Sequence, residues 1–415
     1  MSTTGTAGVA LAVGNTSQAT ADGSTAVGAD SSALGGGATA VGRASRALFS
    51  AGTSLGYNAF SAATGAIAIG ADTLSQGTAS IAIGGDLDGN GSGARTSAAG
   101  SIAIGADSSI TFGSSGAIAI GQSSLASAAD SVALGRSSTA SGVGAIAIGR
   151  GATATGSVAV GAGASAALGG AAFGDLAVAT GSLSGALGSE ATATATAATA
   201  IGSLAVASGV ASSAFGHNSD ATATGATAVG VSAQATQNFA TSVGRIANAS
   251  AIGATAIGNA SSATADNSVA LGAGSVANVA NTVSVGAVGA ERRVVNVAAG
   301  TNATDAVNFG QLSGVSSALF AVADDVGTLF DLRRSDRRDM KQGVAAAMSM
   351  AQAPMPSAPG KVAYAVNGAT FRGEYAVGGS LQYRLNTEAP MAVNFGVSHA
   401  GGKNTGVRVG VAGEF

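Results

Sequence analysis

Cysteine and tryptophan are absent, lysine is missing from Met1 to Gly286, and charged residues make up only 9% of 415. The first absence rules out disulfides and thiolate metal sites, although an exported protein can do without either. The scarcity of charge and a net charge of −3 argue against a nucleic-acid partner, and no basic run is interleaved with aromatics. No apolar run is long enough for a transmembrane helix, which needs about 18 residues or more. The opening MSTTGTAGVALAVG has no charged stretch followed by a long apolar one, so no secretory leader is visible. Large apolar residues are too thinly spread for a thick globular core. What fills the chain instead is small: Gly accounts for 66 of 415 residues, with Ala, Ser and Thr supplying much of the rest. A thin, repetitive core is what such a composition can build.

The repeat is easily read. Ala, then Ile, Val or Leu, then Gly recurs as in AIAIG at Ala66–Gly70 and SVALG at Ser131–Gly135. Its Gly falls at 14, 28, 42, 56, 70 and 84, becomes irregular through 105, 121, 135, 149 and 161, and resumes at steps of fourteen from 174 to 286. One period held this long signals a solenoid with one coil per repeat. Within a coil, the two-residue spacing of Ile67 and Ile69, or of Ile146 and Ile148, predicts that both face inward on a strand. A second alternating stretch, such as Ala152 to Gly156, supplies a second short strand, and the Gly marks a turn. Twenty such coils at about 4.8 Å each imply a stack on the order of 100 Å. Three thin solenoids side by side would bury their Ala-rich flanks.

The largest break, from Gly84 to Gly105, holds Asp86, Asp88 and Asn90 in the order D-x-D-x-N-G, the first six positions of a calcium loop. Its twelfth position is Ser97 rather than Glu. A solvated surface loop is the simpler expectation, and no metal or other cofactor is assigned.

The C-terminal stretch, Lys361 to Phe415, reads as four strands in which large apolar residues alternate with small or polar ones. Val362, Tyr364 and Val366 begin the apolar set, and Val407, Val409, Val411 and Phe415 end it. One apolar and one small face suit a membrane barrel with lipid outside and a polar lumen. Four strands cannot close one, since the smallest need about eight, and an open edge in lipid is not tolerated. The barrel must be shared between copies of the chain.

Between repeats and strands lies ERRVVNVAAGTNATDAVNFGQL, Glu291 to Leu312. This run resembles the neck of YadA-type trimeric autotransporter adhesins, carried by NVAAG at Asn296–Gly300, TDAVN at Thr304–Asn308, and Gln311-Leu312. The NSVALG repeat, Asn267, Ser268, Val269, Ala270, Leu271 and Gly272, resembles the family's head. The segment from Asp331 through GVAAAM, Gly343–Met348, to Phe415 resembles its membrane anchor. The resemblance implies a mainly β chain: a left-handed parallel β-roll head over 1–288, a neck over 289–311, a coiled-coil stalk over 312–342 and an anchor over 343–415. Three chains would share a twelve-stranded barrel. It further implies a homotrimeric bacterial outer-membrane surface adhesin of type V secretion. The head would bind matrix protein, cells or surfaces, and the anchor would export its own passenger. Outer-membrane lipid and the barrel insertion machinery, which reads a terminal residue such as Phe415, are the other implied partners. Some members' NSVAIG repeats are linked to collagen binding; Leu271 departs from that pattern.

The residues of the linking segment agree with this order. Thr304 and Asp305 are good N-cap residues, predicting a helix that starts there. Leu312, Val315, Leu319, Val322, Val326 and Leu329 follow a 3-4-3-4-3 spacing, a coiled-coil seam. Charges from Arg333 to Lys341 would form a solvated face or a collar at the barrel mouth. Slim residues from Gly343 to Ala353 would let three helices fill the lumen, and the prolines before Gly360 would turn the chain into the first strand.

Chemistry is not visible. His217 and His399 have no companion nucleophile or ligand set, so no enzyme is expected. A hexapeptide-repeat acyltransferase has a period of six, of which fourteen is no multiple. An ice-binding face would need Thr192, Thr194 and Thr196 to recur as a set on every coil, and they do not. A surface spacer or self-associating protein is the remaining alternative.

Overall fold

A computed structural model describes residues 8–414, and the chain divides into two units, 1–293 and 294–415. The first unit is the solenoid. Each coil contributes a three-residue strand, such as Ile67–Ile69, and a two-residue strand, such as Leu74–Ser75. Every strand pairs in parallel with its equivalent one coil on, Ile67 with Ile81 and Leu74 with Arg95. The result is one sheet of 20 long strands and a second of 19 short ones, stacked in chain order.

The core differs from the sequence expectation. Alternation within a three-residue strand is out-in-out, and the residue pointing in is the central Ala. Ala68, Ala82 and Ala147 are fully buried, facing the second residue of each short strand, such as Ala126 or Ser75. Ile67, Ile69, Ile146 and Ile148 are only half-buried on the outer side of the sheet. The physical reason is space, because a coil of two strands and two tight turns leaves room between its sheets for methyl groups. The flank offered to a neighbour is therefore not Ala-rich. It is a row of Val, Ile, Leu and Phe, since every three-residue strand ends on one of them.

The Gly column has a steric cause. At Gly56 the backbone takes φ +140°, and a Cβ would lie 2.4 Å from the carbonyl oxygen of Gly70 in the next coil. Buried hydroxyls in the adjoining turn find partners locally, as Ser31 donates to the Gly28 carbonyl at 2.9 Å. Where the period slips, the chain leaves the stack after Gly84 and returns by Ala94, whose N–H donates to the Gly84 carbonyl at 2.9 Å. The coils on either side stay in register, Ile83 opposite Ile104.

The second unit holds a 41-residue helix, Phe309–Ser349, and four antiparallel strands, Val362–Phe371, Glu374–Arg384, Met391–Ala400 and Asn404–Gly413. The helix does not begin at Thr304 or Asp305. Its N-cap is Asn308, whose side chain accepts the Gln311 N–H at 3.0 Å, while the Asn308 N–H donates to Gln311 Oε1 at 3.3 Å. Asp305 was the wrong cap because its carboxylate is spent on the preceding turn, accepting the N–H groups of Thr301 and Asn302 at 2.9 Å each. No helix among the described residues is long and apolar enough to cross a membrane.

Candidate functional site

In the four-stranded sheet, the described apolar residues singled out above project away from the helix: Tyr364 is 75% exposed, Val366 71% and Val409 69%. The other face takes the helix. Ala345, Ala346 and Ser349 are buried against it, with Ala376, Ala392, Gln382 and Asn394 among the buried residues on the sheet's side. Contact is closest at Gly378, where a Cβ would lie 2.3 Å from the Ser349 carbonyl oxygen. Polar groups fix the helix lengthwise. Gln342 donates to Glu374 Oε2 at 2.9 Å and accepts from Asn404 at 2.9 Å, while Arg338 Nε sits 3.6 Å from Glu374. Ser380 donates to the Ala351 carbonyl at 2.8 Å, and Arg384 to the Pro356 carbonyl at 3.1 Å. Among the described residues the first strand pairs only with the second and the fourth only with the third, so both edges lie open within one chain. Phe415 lies outside the described residues.

Of the charged run before this contact, Arg334 pairs with Asp331 at 3.8 Å with both side chains at least 80% exposed, a contact worth little in water. Leu312, Val315, Leu319, Val322, Val326 and Leu329 are all exposed along the helix. Such a stripe on a single chain has no packing partner of its own.

The neck residues fall into two hydrogen-bonded groups. Gln311 bridges across to Gly300, accepting its N–H at 2.9 Å and donating to its carbonyl at 3.0 Å. Asn308 reaches back to the Val297 carbonyl at 3.1 Å. Asp305 holds the turn at 301–302, and the N–H groups of Asn302 and Thr301 keep its carboxyl below the ordinary range. Asn296 takes the left-handed conformation at φ 62°. Thr304 is exposed, and the helix start passes it by. The Asn308-x-x-Gln311 pair is itself a capping-box pattern, a signal that was readable in the sequence.

At the base of the head, Arg292 donates to Ser275 Oγ at 2.7 Å, to the Val285 carbonyl at 2.6 Å and to the Ala273 carbonyl. These bonds occupy acceptors of the last coil, where no further coil follows. In the NSVALG repeat, Ser268 and Ala270 are fully buried, and Gly272 lies against Arg292. Asn267 is in a turn with φ 54° and donates to Asn281 at 3.3 Å, while Leu271 is 46% exposed. The repeat is thus largely occupied in building its coil.

In the inserted loop, Asp86 accepts the N–H groups of Gly89 and Gly91 at 2.8 and 2.6 Å, and Asp88 accepts from Asn90. Partial desolvation pushes the Asp86 carboxyl up, but the N–H groups of Gly91 and Gly89, with Asp88 and Asn90, outweigh it and hold it low. Oxygens of Asp86, Asp88 and Asp107 lie within 4.8 Å of one another, Asp107 being a member the linear motif did not contain. Ser97, at the twelfth position, is bonded instead to Gln76 at 3.3 Å. His217 and His399 are both exposed, and His399 Nδ1 meets the Thr405 hydroxyl at 2.8 Å. Thr192, Thr194 and Thr196 lie on a single coil, in the short strand, after it and in the following turn.

A repetitive solenoid, an exposed apolar helix stripe, and a sheet greasy outside and polar within define a surface-displayed protein held in a membrane. Comparison with known proteins gives the family. The model of the coiled stalk of trimeric autotransporter adhesins matches residues 293–333, and that of the YadA-like membrane anchor domain matches 354–415. The YadA head domain repeat matches ten stretches, from 10–31 to 263–287. The chain belongs to the YadA-type trimeric autotransporter adhesins. It is also similar to the crystal structure of the collagen-binding domain of the Yersinia adhesin YadA, at 23% identity, covering 59% of this chain and 86% of that one. The TM-score is 0.23, and the family assignment rests on the sequence matches rather than on this superposition. The chain is an outer-membrane autotransporter adhesin with its head at the cell surface. Neither the ice-binding nor the spacer alternative is favoured, and membership of an adhesin family points to a non-enzymatic protein.

Proposed function

We propose that three chains close one barrel of twelve strands, four from each, around three Gly343-to-Ser349 helix ends. Through this barrel the chain exports its own head, which binds an extracellular matrix protein without catalysing any reaction. The observation that carries the reading is the pair of open strand edges beside a continuous apolar belt. Backbone N–H and C=O groups left unpaired in lipid cost several kcal/mol each, so neighbouring chains must supply the missing strands. The seam from Leu312 to Leu329 and the Val/Ile row of the head would then be covered by the same three-fold assembly. Three heads acting together convert weak contacts into avidity. Barrel insertion machinery and lipid are the partners this topology needs. The Asp86 loop is read as a surface loop without metal.

The test is the full chain in outer membranes, run on gels in SDS with and without boiling. A heat-sensitive band at three times the 38.5 kDa monomer is expected, and monomer alone in unboiled membranes overturns the shared barrel. In parallel, cells displaying the chain should adhere to immobilised matrix proteins, collagen and fibronectin included. Adhesion no greater than that of cells lacking the chain overturns the matrix ligand.

A further inference from the structure

We propose that the outer face of the short-strand sheet carries a docking strip, from Arg46 to Arg95, for an extended acidic segment of a partner protein. The proposal rests on the adhesin reading and names where and by what chemistry the head would grip. The leading residues of successive short strands stand in register: Arg46 beside Phe60, Phe60 beside Leu74, Leu74 beside Arg95. The Arg46 guanidinium lies 4.2 Å from the centre of the Phe60 ring, which fixes the plane of the cation. On the adjoining turns Arg43 stacks likewise on Tyr57 at 5.2 Å. Among the described residues, neither Arg46 nor Arg95 has a side-chain hydrogen bond or a carboxylate partner, and both are exposed. Their donors are unspent.

Among the described residues this arrangement occurs once. Further along the same face the leading residues are polar or aliphatic, for example Leu125, Thr139, Val178, Thr192 and Ser262, and none of them is an arginine or an aromatic. Residues 1–288 hold six arginines against eleven Asp and Glu, yet three of the six converge on these coils. Arg and aromatic side chains dominate interface energetics, and here they form a cationic strip on an otherwise acidic head. The strip lies on the sheet opposite the Val/Ile row, so burying that row between chains leaves it open.

Geometry selects the occupant. Coils repeat at about 4.8 Å, so three steps separate Arg46 from Arg95 by roughly 14 Å. An extended chain rises about 3.4 Å per residue and shows alternate side chains on one face. Two carboxylates four residues apart therefore match the two arginines, with the side chain midway between them over Phe60 and Leu74. A small free anion cannot span that distance. The fitting ligand is a strand of the pattern acidic-x-apolar-x-acidic.

The test uses the full-length trimer in detergent and a fluorescent peptide, Thr-Glu-Thr-Val-Thr-Glu-Thr, followed by anisotropy. Replacing both Glu by Gln, or moving them to two-residue spacing, should weaken binding roughly tenfold or more, as should R46Q or R95Q in the protein. Raising salt from about 0.05 to 0.5 M should weaken binding too. F60S should reproduce part of the loss, and each variant is checked for its SDS-resistant band. No peptide binding at millimolar concentration, equal affinity for the Glu and Gln peptides, or unchanged binding in R46Q and R95Q overturns the strip. Adhesion to immobilised matrix proteins is scored alongside. If it persists undiminished in both Arg variants, the strip is wrong and the adhesin reading stands. If the wild type binds no matrix protein while the peptide results hold, the matrix reading fails and the strip stands.

Discussion

The head and the anchor solve the same shortage of large apolar residues in opposite ways. In the head each coil buries its own Ala methyls, and those of Ala68, Ala82 and Ala147 are out of water within a single chain. In the anchor the sheet buries its small face on a helix and leaves Tyr364, Val366 and Val409 exposed, with two strand edges unpaired. A repeat that contacts only its neighbours can be complete locally. A four-stranded sheet destined for lipid is complete only in company. Damage should therefore spread in the anchor and stay put in the head.

Gly378→Val gives the largest break. Its side chain would enter the Ser349 backbone, and overpacking of this kind costs about 1–3 kcal/mol per chain, repeated three times in a trimer. Loss of the SDS-resistant band and of head display at the cell surface is expected. An unchanged band would mean the helix does not seat against this strand. Gly56→Val makes an equally close contact, 2.4 Å from the Gly70 carbonyl, at a φ that β-branched residues avoid. Here the expected damage is local, about 1–3 kcal/mol felt by adjoining coils. Hydrogen exchange should rise near residues 42–84 and stay unchanged beyond about residue 130. Loss of protection along the whole head would refute the idea of locally complete coils.

The same contrast decides what could be read beforehand. Strand positions in both regions were legible because period fourteen and period two are written in residue types, from Ile67 and Val132 to Tyr364 and Val409. The direction of the head's side chains was not legible. Ile67-Ala68-Ile69 alternates correctly whichever way it faces, and hydrophobicity alone turns Ile inward; only the narrow space between the sheets reverses it. Asp305 misled for a related reason, since a good N-cap residue serves any turn with free N–H groups, and the turn at 301–302 took it. Asp107 beside Asp86 and Phe60 beside Arg46 were hidden by spacing, because these neighbours on adjacent coils are 21 and fourteen residues apart in the chain.

Reversal of the head's Ile side chains sharpens the comparison into a smaller effect. Ile118 and Ile120 flank the fully buried Ala119 and lie on the outer row. Ile120→Ser should leave the fold of a single head nearly intact, costing about 1 kcal/mol through its half-buried surface. Association between the three heads should suffer more. Crosslinking of the isolated region is an unsafe readout, so the full-length trimer is used, with exchange followed at residues 118–120. Ala119→Leu should act the other way, opening the coil itself by overpacking. Equal effects of the two substitutions on coil protection would place Ile120 in the core after all.

The smallest effect concerns Asp305, and its sign follows from the hydrogen bonds. The N–H groups of Asn302 and Thr301 stabilise the carboxylate and lower its folded pKa. A lowered folded pKa contributes stability that is fully present above the unfolded value and lost as pH falls through the folded one. Because the group is solvent-facing, the gain is screened and shows locally rather than in global unfolding. Exchange protection of the Thr301 and Asn302 amides, corrected for intrinsic rates, should be constant across neutral pH and fall only below the ordinary aspartate range. Asp305→Asn keeps an acceptor but removes the charge, so its protection should be lower at neutral pH and flat through the acid range. A wild-type profile as flat as that of the variant would show that the turn is held by Asn308 and Gln311 instead, and that Asp305 is dispensable to the neck.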